Sequence, residues 1–166
     1  MTNTQRIDEL SAENNRLREK LRILEREKEA WRKTQFIANA ADQLLTMIDR
    51  EYVYESVNRA YCRARGQKPE DVVGKKVADV WGQSQFESII KPKLDNCFKG
   101  NVTSTEDWFK FNGRELRCYQ VTYNPYLDPI GRVTHALVVT HDITARKHAE
   151  DVMKRANDRL ERRVQL

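Results

Sequence analysis

Three cysteines, three histidines and a set of aromatic and hydroxyl side chains on strand-like segments are the residues of this 166-residue sequence that could do chemistry. Cys62, Cys97 and Cys118 are odd in number and far apart, with no CxxC or Cys/His ligand spacing, which argues for reduced thiols and against a metal. His135, His141 and His148 fall on or after one apolar run, and no Ser/His/Asp set, paired carboxylates or phosphate-cradling glycine loop accompanies them. A catalytic reading therefore has no constellation to stand on, and the chain is not expected to be an enzyme. What remains is binding chemistry. Trp108, Tyr119, Tyr123 and Thr140 bring an indole N–H and three hydroxyls into apolar segments that also hold Val121 and Val138, a combination suited to a small organic ligand.

Strands and helices must position those residues. Residues 133–144 read as a strand in which Ala136, Val138 and Thr140 share one side, and His135, Leu137, Val139 and His141 the other. β-Branched residues dominate it, so both sides are expected to be covered. Residues 145–166 are charged, free of Gly and Pro, and rich in helix formers. A strand thus hands over directly to a helix at Asp142-Ile143-Thr144, whose Asp and Thr suit an N-cap. Upstream, Val102–Phe111 and Glu115–Tyr126 read as two strands joined at Asn112-Gly113, a strong hairpin signal. Shorter strands, Gln43–Ile48 and Tyr52–Val57, flank Asp49-Arg50-Glu51. Between the two groups lie short helices opened by Asn58 and by Pro69, and a longer one from Ser84 to Lys99 with Pro92 as a kink or break. This order predicts an α+β fold with five antiparallel strands.

Residues 6–33 carry a different pattern. Ile7, Leu10, Asn14, Leu17, Leu21, Leu24, Lys28 and Trp31 fall at successive a and d positions of four heptads. Such a two-in-seven stripe is too narrow for packing on a globular domain and is the seam of a coiled coil. In a parallel dimer the pairs across the interface are Glu13 to Arg18, Lys20 to Glu25 and Glu27 to Arg32, all attractive; Asn14 at an a position favours two strands in register. The expected dimer interface is Ile7, Leu10, Asn14, Leu17, Leu21, Leu24 and Trp31. Only five residues precede Arg6, so a basic-zipper DNA reader is not expected. The heptads end after Trp31, and Thr34–Ala41 reads as a separate short helix. The chain divides on this reading into a coiled coil, 1–33, a folded core, 34–144, and a terminal helix, 145–166.

A content of 39% hydrophobic and 33% charged residues is too charged for one globule of this length. Lys/Arg number nine against seven Asp/Glu in residues 1–35, seven against four in 145–166, and fourteen of each between. A neutral core is poor footing for nucleic acid, and no nucleic-acid partner is expected. No apolar run approaches the ~20 residues of a membrane span, and no signal peptide precedes the first charges. With its unpaired thiols the chain reads as soluble and cytoplasmic.

Several short motifs occur in one order: the hairpin at Asp49, the step Val57-Asn58 into a helix, Gly74 after Glu70-Asp71-Val72-Val73, Asn112-Gly113-Arg114, Tyr123-Asn124-Pro125, and Asp142-Ile143-Thr144 followed by Arg146-Lys147. In that order and spacing residues 34–148 resemble a PAS domain. The resemblance implies a five-stranded antiparallel sheet with helices cupped on one face, a pocket between them, and flanking helices that signal to an output domain of histidine kinase or diguanylate cyclase type. It also implies which residues face the ligand. Counted from Asp142, Pro125 and Gly113, these are Val138 and Thr140 with Ala136, then Tyr119, Val121 and Tyr123, then Trp108, with Cys97, Ile90 and Leu94 added from the long helix. Phe109, Phe111, Leu137 and Val139 fall on the opposite face. Haem in this family needs a His on the long helix, and 84–99 has none. Flavin photochemistry needs an Asn-Cys-Arg type motif, and Asn96-Cys97-Phe98 has the wrong neighbours. Neither cofactor is expected.

Ala149, Met153, Ala156 and Leu160 form a weaker heptad, interrupted by Arg146 and Arg163. The expectation is a homodimeric sensory module. Ligand binding or repacking around Trp108, Tyr119, Tyr123 and Thr140 shifts the last strand, and Asp142-Ile143-Thr144, held by capping or by an Arg, turns that shift into rotation or splaying of the terminal helices. A ligand-free dimerisation scaffold is the alternative with the same features. A helix still running at Leu166 fits either a piece of a longer sensor or a module whose helix pairs with another protein.

Overall fold

The computed structural model describes residues 2–111 and 113–164, and the chain falls into two compact units, residues 1–40 and 41–166. The first is one helix, α1 (Asn3–Ala40), 38 residues and about 57 Å long at 1.5 Å per residue. It runs on where the heptads stop, so Thr34–Ala40 is its last part and not a separate helix; no Gly or Pro stands there to break it. No residue of α1 is buried, and Ile7, Leu10, Leu17, Leu21, Leu24, Trp31, Phe36 and Ile37 are all exposed. Most helices in water owe their stability to a packed apolar face, and this one has its stripe open.

The second unit is built on a five-stranded antiparallel sheet: β1 (Leu44–Asp49), β2 (Tyr54–Val57), β3 (Thr103–Phe109), β4 (Arg117–Leu127) and β5 (Val133–Asp142), in the order β2-β1-β5-β4-β3. The centre goes to β5, between β1 and β4. Its register sets Thr140 opposite Leu44 and Val121, and Val138 opposite Thr46 and Tyr123. One face of the sheet therefore presents Leu44, Thr46, Ile48, Val121, Tyr123, Ala136, Val138 and Thr140, all buried. Helices cover that face: α2 (Arg59–Arg65), a 3-10 turn (Pro69–Asp71), α3 (Val77–Trp81), α4 (Gln83–Gln85) and α5 (Lys91–Phe98). Between α4 and α5 the backbone widens into a π-helical turn, Phe86–Ile90, just before Pro92, whose missing N–H interrupts the regular ladder. The terminal helix α6 (Thr144–Val164) follows β5.

Two strand limits differ from expectation for local reasons. Tyr52 takes a left-handed backbone, φ 62°, with its ring edge-on to Phe86 at 5.2 Å and its hydroxyl on Asp95, so β2 starts at Tyr54. The connection from β3 to β4 occupies residues 110–116 instead of a two-residue hairpin, because Phe111 turns into the core, 3% exposed, against Trp81 and Tyr119. Asn112 of that expected turn lies outside the described residues; Gly113 has φ 69°.

Asn58 ties α2 to the sheet. Its Oδ1 accepts from the amides of Tyr61 and Leu45, each at 3.0 Å, and its Nδ2 donates to the Gln43 carbonyl at 2.9 Å. Asn58→Ala removes the cap and strands a β1 amide, an expected loss of about 2–4 kcal/mol. Urea unfolding checks this: the midpoint falls at unchanged slope, and a loss under about 1 kcal/mol would contradict it.

Candidate functional site

Between the buried sheet face and the helices lies a cavity of about 200 Å³. All five strands contribute to its lining, with Tyr54 from β2, Thr46 and Ile48 from β1, Val138 and Thr140 from β5, Val121 and Tyr123 from β4, and Asp107 and Phe109 from β3. Tyr61, Val77, Trp81, Ile89, Ile90 and Phe111 close the other side. Of the residues expected at a ligand, Val121, Tyr123, Val138, Thr140 and Ile90 line this space, while Ala136 and Leu94 are buried outside it.

Three others are placed differently. Trp108 borders the cavity, but it is 49% exposed and its ring stacks on His148 of α6 at 6.3 Å. Its expected phase was counted back from a tight hairpin, and the longer connection shifts β3 by one residue, which exchanges its faces. Phe109 and Phe111, expected on the far side, consequently form the aromatic wall. Tyr119 is buried behind Phe109, whose ring stacks on it at 4.6 Å, and does not line the cavity. Cys97 is wholly buried in the core outside the lining, and burial pushes its thiol up.

Two hydrogen-bonded sets of polar groups stand at the cavity, besides Thr46, Gln85 and Thr140. Trp81 Nε1–H donates to the Tyr54 hydroxyl at 2.9 Å, and the Tyr54 and Tyr61 hydroxyls are 3.1 Å apart. Burial first of all pushes both phenols up, Tyr54 the more strongly, so both keep their protons. Arg65, 6% exposed, holds its guanidinium 4.7 Å from the Trp81 ring and 5.9 Å from those of Tyr61 and Phe111, and donates to the Val80 carbonyl at 3.0 Å. In the second set Lys93 pairs with Asp107 at 3.0 Å and donates to the Thr105 hydroxyl at 3.1 Å. The first set went unseen in the sequence. Tyr54, Tyr61 and Trp81 come from three elements, and α3 is five residues long, too short for a periodic signal.

Two residues past Thr140, β5 ends in a knot of hydrogen bonds. Asp142 Oδ1 accepts from the Thr144 amide at 3.0 Å and from its hydroxyl at 2.6 Å, while Oδ2 pairs with Arg117 of β4 at 2.8 Å. The Thr144 hydroxyl accepts from the Cys118 amide at 3.0 Å, and the amide of buried Ile143 donates to the Cys118 carbonyl at 2.9 Å. From β3, Glu106 pairs with Arg146 at 2.7 Å and with Lys147. The start of α6 is thus held by β3, β4 and β5 together.

Burial of Asp142 favours its neutral form, but the Thr144 hydrogen bonds and Arg117 outweigh this and hold the carboxyl below its ordinary 3.8. A folded-state value below the unfolded one contributes stability that is complete above about pH 4 and lost as pH falls through the depressed value. Amide exchange in the first turn of α6 should therefore show a loss of protection below pH 3.8. Asp142→Asn should shrink that step, and an unchanged step would contradict the assignment.

A family model described as the PAS fold matches residues 38–148. The aerobic respiration control sensor protein ArcB of Escherichia coli K12 is 26% identical over 120 residues, 72% of this chain and 15% of that protein, so the chain spans a small part of the curated relatives it matches. An RNA-binding light-oxygen-voltage receptor superposes with a TM-score of 0.60 and 18% identity over 78% of this chain and 37% of its own. A phage VqmA–DPO complex gives 0.59 and 18% over 83% and 62%. At these identities the two structures show the fold alone. One of them is described as RNA-binding, and the expected absence of a nucleic-acid partner is left without support. Among the described residues no helix is long and apolar enough to cross a membrane.

Proposed function

Because this chain belongs to the PAS fold family, we propose that its folded unit is a non-catalytic sensor, coupling a small ligand in the cavity to movement of α6 in a parallel homodimer. One observation carries this reading: three of the strands that line the cavity, β3, β4 and β5, also hold α6. On β5, Thr140 lines the cavity and Asp142 caps the helix. On β3, Asp107 lines the cavity while Glu106 and Trp108, on either side of it, grip Arg146, Lys147 and His148. A ligand that favours one arrangement of the lining biases the helix to the extent of its differential affinity, and no further. Similarity to a sensor protein supports the sensory role, and PAS domains commonly homodimerise and bind small ligands.

The dimer rests on α1, whose a and d side chains are open and whose facing charges pair in parallel register. The output reached through α6 is of histidine kinase or diguanylate cyclase type, and the site of action is the cytoplasm, where Cys62, Cys97 and Cys118 stay as thiols. Native mass spectrometry of the protein as purified tests both halves. A dimer with extra mass lost on denaturation supports the sensor; a dimer of bare chains favours the scaffold, and a monomer overturns the coiled coil.

A further inference from the structure

We infer that the cavity takes a small, planar, non-cationic ring compound carrying a hydrogen-bond acceptor, a carbonyl oxygen or ring nitrogen, that meets the Tyr54–Tyr61 pair. This rests on the sensory reading and specifies its ligand.

Size sets the first limit. An apolar cavity of about 150 Å³ admits benzene, so about 200 Å³ suits one substituted ring or a fused pair. Shape follows from the walls. Trp81, Phe109 and Phe111 meet edge-on or tilted, with centroids 5.2–5.7 Å apart, and offer flat faces and edges that favour a planar occupant.

The acceptor follows from a count of protons. Trp81 Nε1–H, Tyr54 O–H and Tyr61 O–H are three donors. The indole spends its one proton on these hydroxyls, closest to Tyr54, and one hydroxyl gives its proton to the other. Whichever hydroxyl donates in that second contact, the other retains an O–H that the triad does not use. Both hydroxyl-bearing residues line the cavity, so it offers a donor there and asks for an acceptor.

Charge sets the last limit. Arg65 already lies over the rings of Trp81, Tyr61 and Phe111, so a cationic ligand would find those faces taken and a like charge beside them. Lys93 adds a second positive group at the lining, its charge balanced by Asp107.

The test compares three probes of nearly equal shape on the full chain at mildly alkaline pH: naphthalene, isoquinoline and N-methylisoquinolinium. Affinity is read from the methyl resonances of Ile48, Val121 and Val138, which line the cavity. Isoquinoline is expected to bind at least about fivefold more tightly than naphthalene, the worth of one ordinary net hydrogen bond, and at least about tenfold more tightly than the cation. Equal affinity for naphthalene and isoquinoline overturns the acceptor while leaving the cavity a ligand site. Equal affinity for the cation overturns the charge limit. Methyls unmoved by all three overturn the ligand class together with the sensory reading.

Discussion

Leu17→Lys combined with Leu24→Lys is expected to convert the protein from a dimer to a monomer at micromolar concentration. Both leucines are d residues of α1 and more than half exposed in a single chain, and in the proposed parallel dimer a partner helix covers them. A parallel dimer buries four such side chains, each worth about 1.5–3 kcal/mol. Their loss, about 6–12 kcal/mol, weakens the dissociation constant by roughly four decades or more. The sheet unit is compact by itself and should unfold at the same urea concentration as before. Sedimentation equilibrium reads the result, and a dimer that survives the double change would place the interface elsewhere. Register is tested separately: Glu13→Lys with Glu27→Lys should weaken the dimer, and adding Arg18→Glu with Arg32→Glu should restore it only if the helices run parallel.

Asp142→Ala should loosen α6 while leaving the cavity as it is. The substitution removes an N-cap, worth about 0.5–2 kcal/mol, and a partly exposed ion pair with Arg117, worth about 1 kcal/mol or less. First-turn amides of α6 should exchange roughly five- to 150-fold faster for a combined loss of about 1–3 kcal/mol. Isoquinoline affinity should be unchanged, because Asp142 lies outside the lining. The response of α6 to that probe should disappear. If the response persists at full size, β3, through Glu106 and Trp108, carries the coupling without β5.

Much of this architecture could be read from local chemistry. Asn58 as an N-cap, Gly66 at φ 66° as the stop of α2, Pro92 as an interruption and the passage from β5 into α6 each depend on a few adjacent residues, so the sequence shows them directly. The cavity was harder, for two physical reasons. Side-chain phase in a strand repeats every two residues, so one misjudged turn before Gly113 was enough to send Trp108 inward and Phe109 outward. The Tyr54, Tyr61 and Trp81 cluster exists only through packing of β2, α2 and α3, and no spacing along the chain encodes that meeting. The end of α1 shows a related limit: a heptad reports where a partner is needed, whereas the helix itself continues until residues unfavourable to it arrive.

Hydrogen exchange along α6, measured on the full chain with the cavity empty and then saturated with isoquinoline, tests the coupling most directly. Occupancy is read independently from the Val121 and Val138 methyls. Coupling through the ends of β5 and β3 predicts altered protection from Ile143 through the first turns of α6 when those methyls report a filled cavity. Exchange unchanged along α6 with the cavity demonstrably full would contradict it.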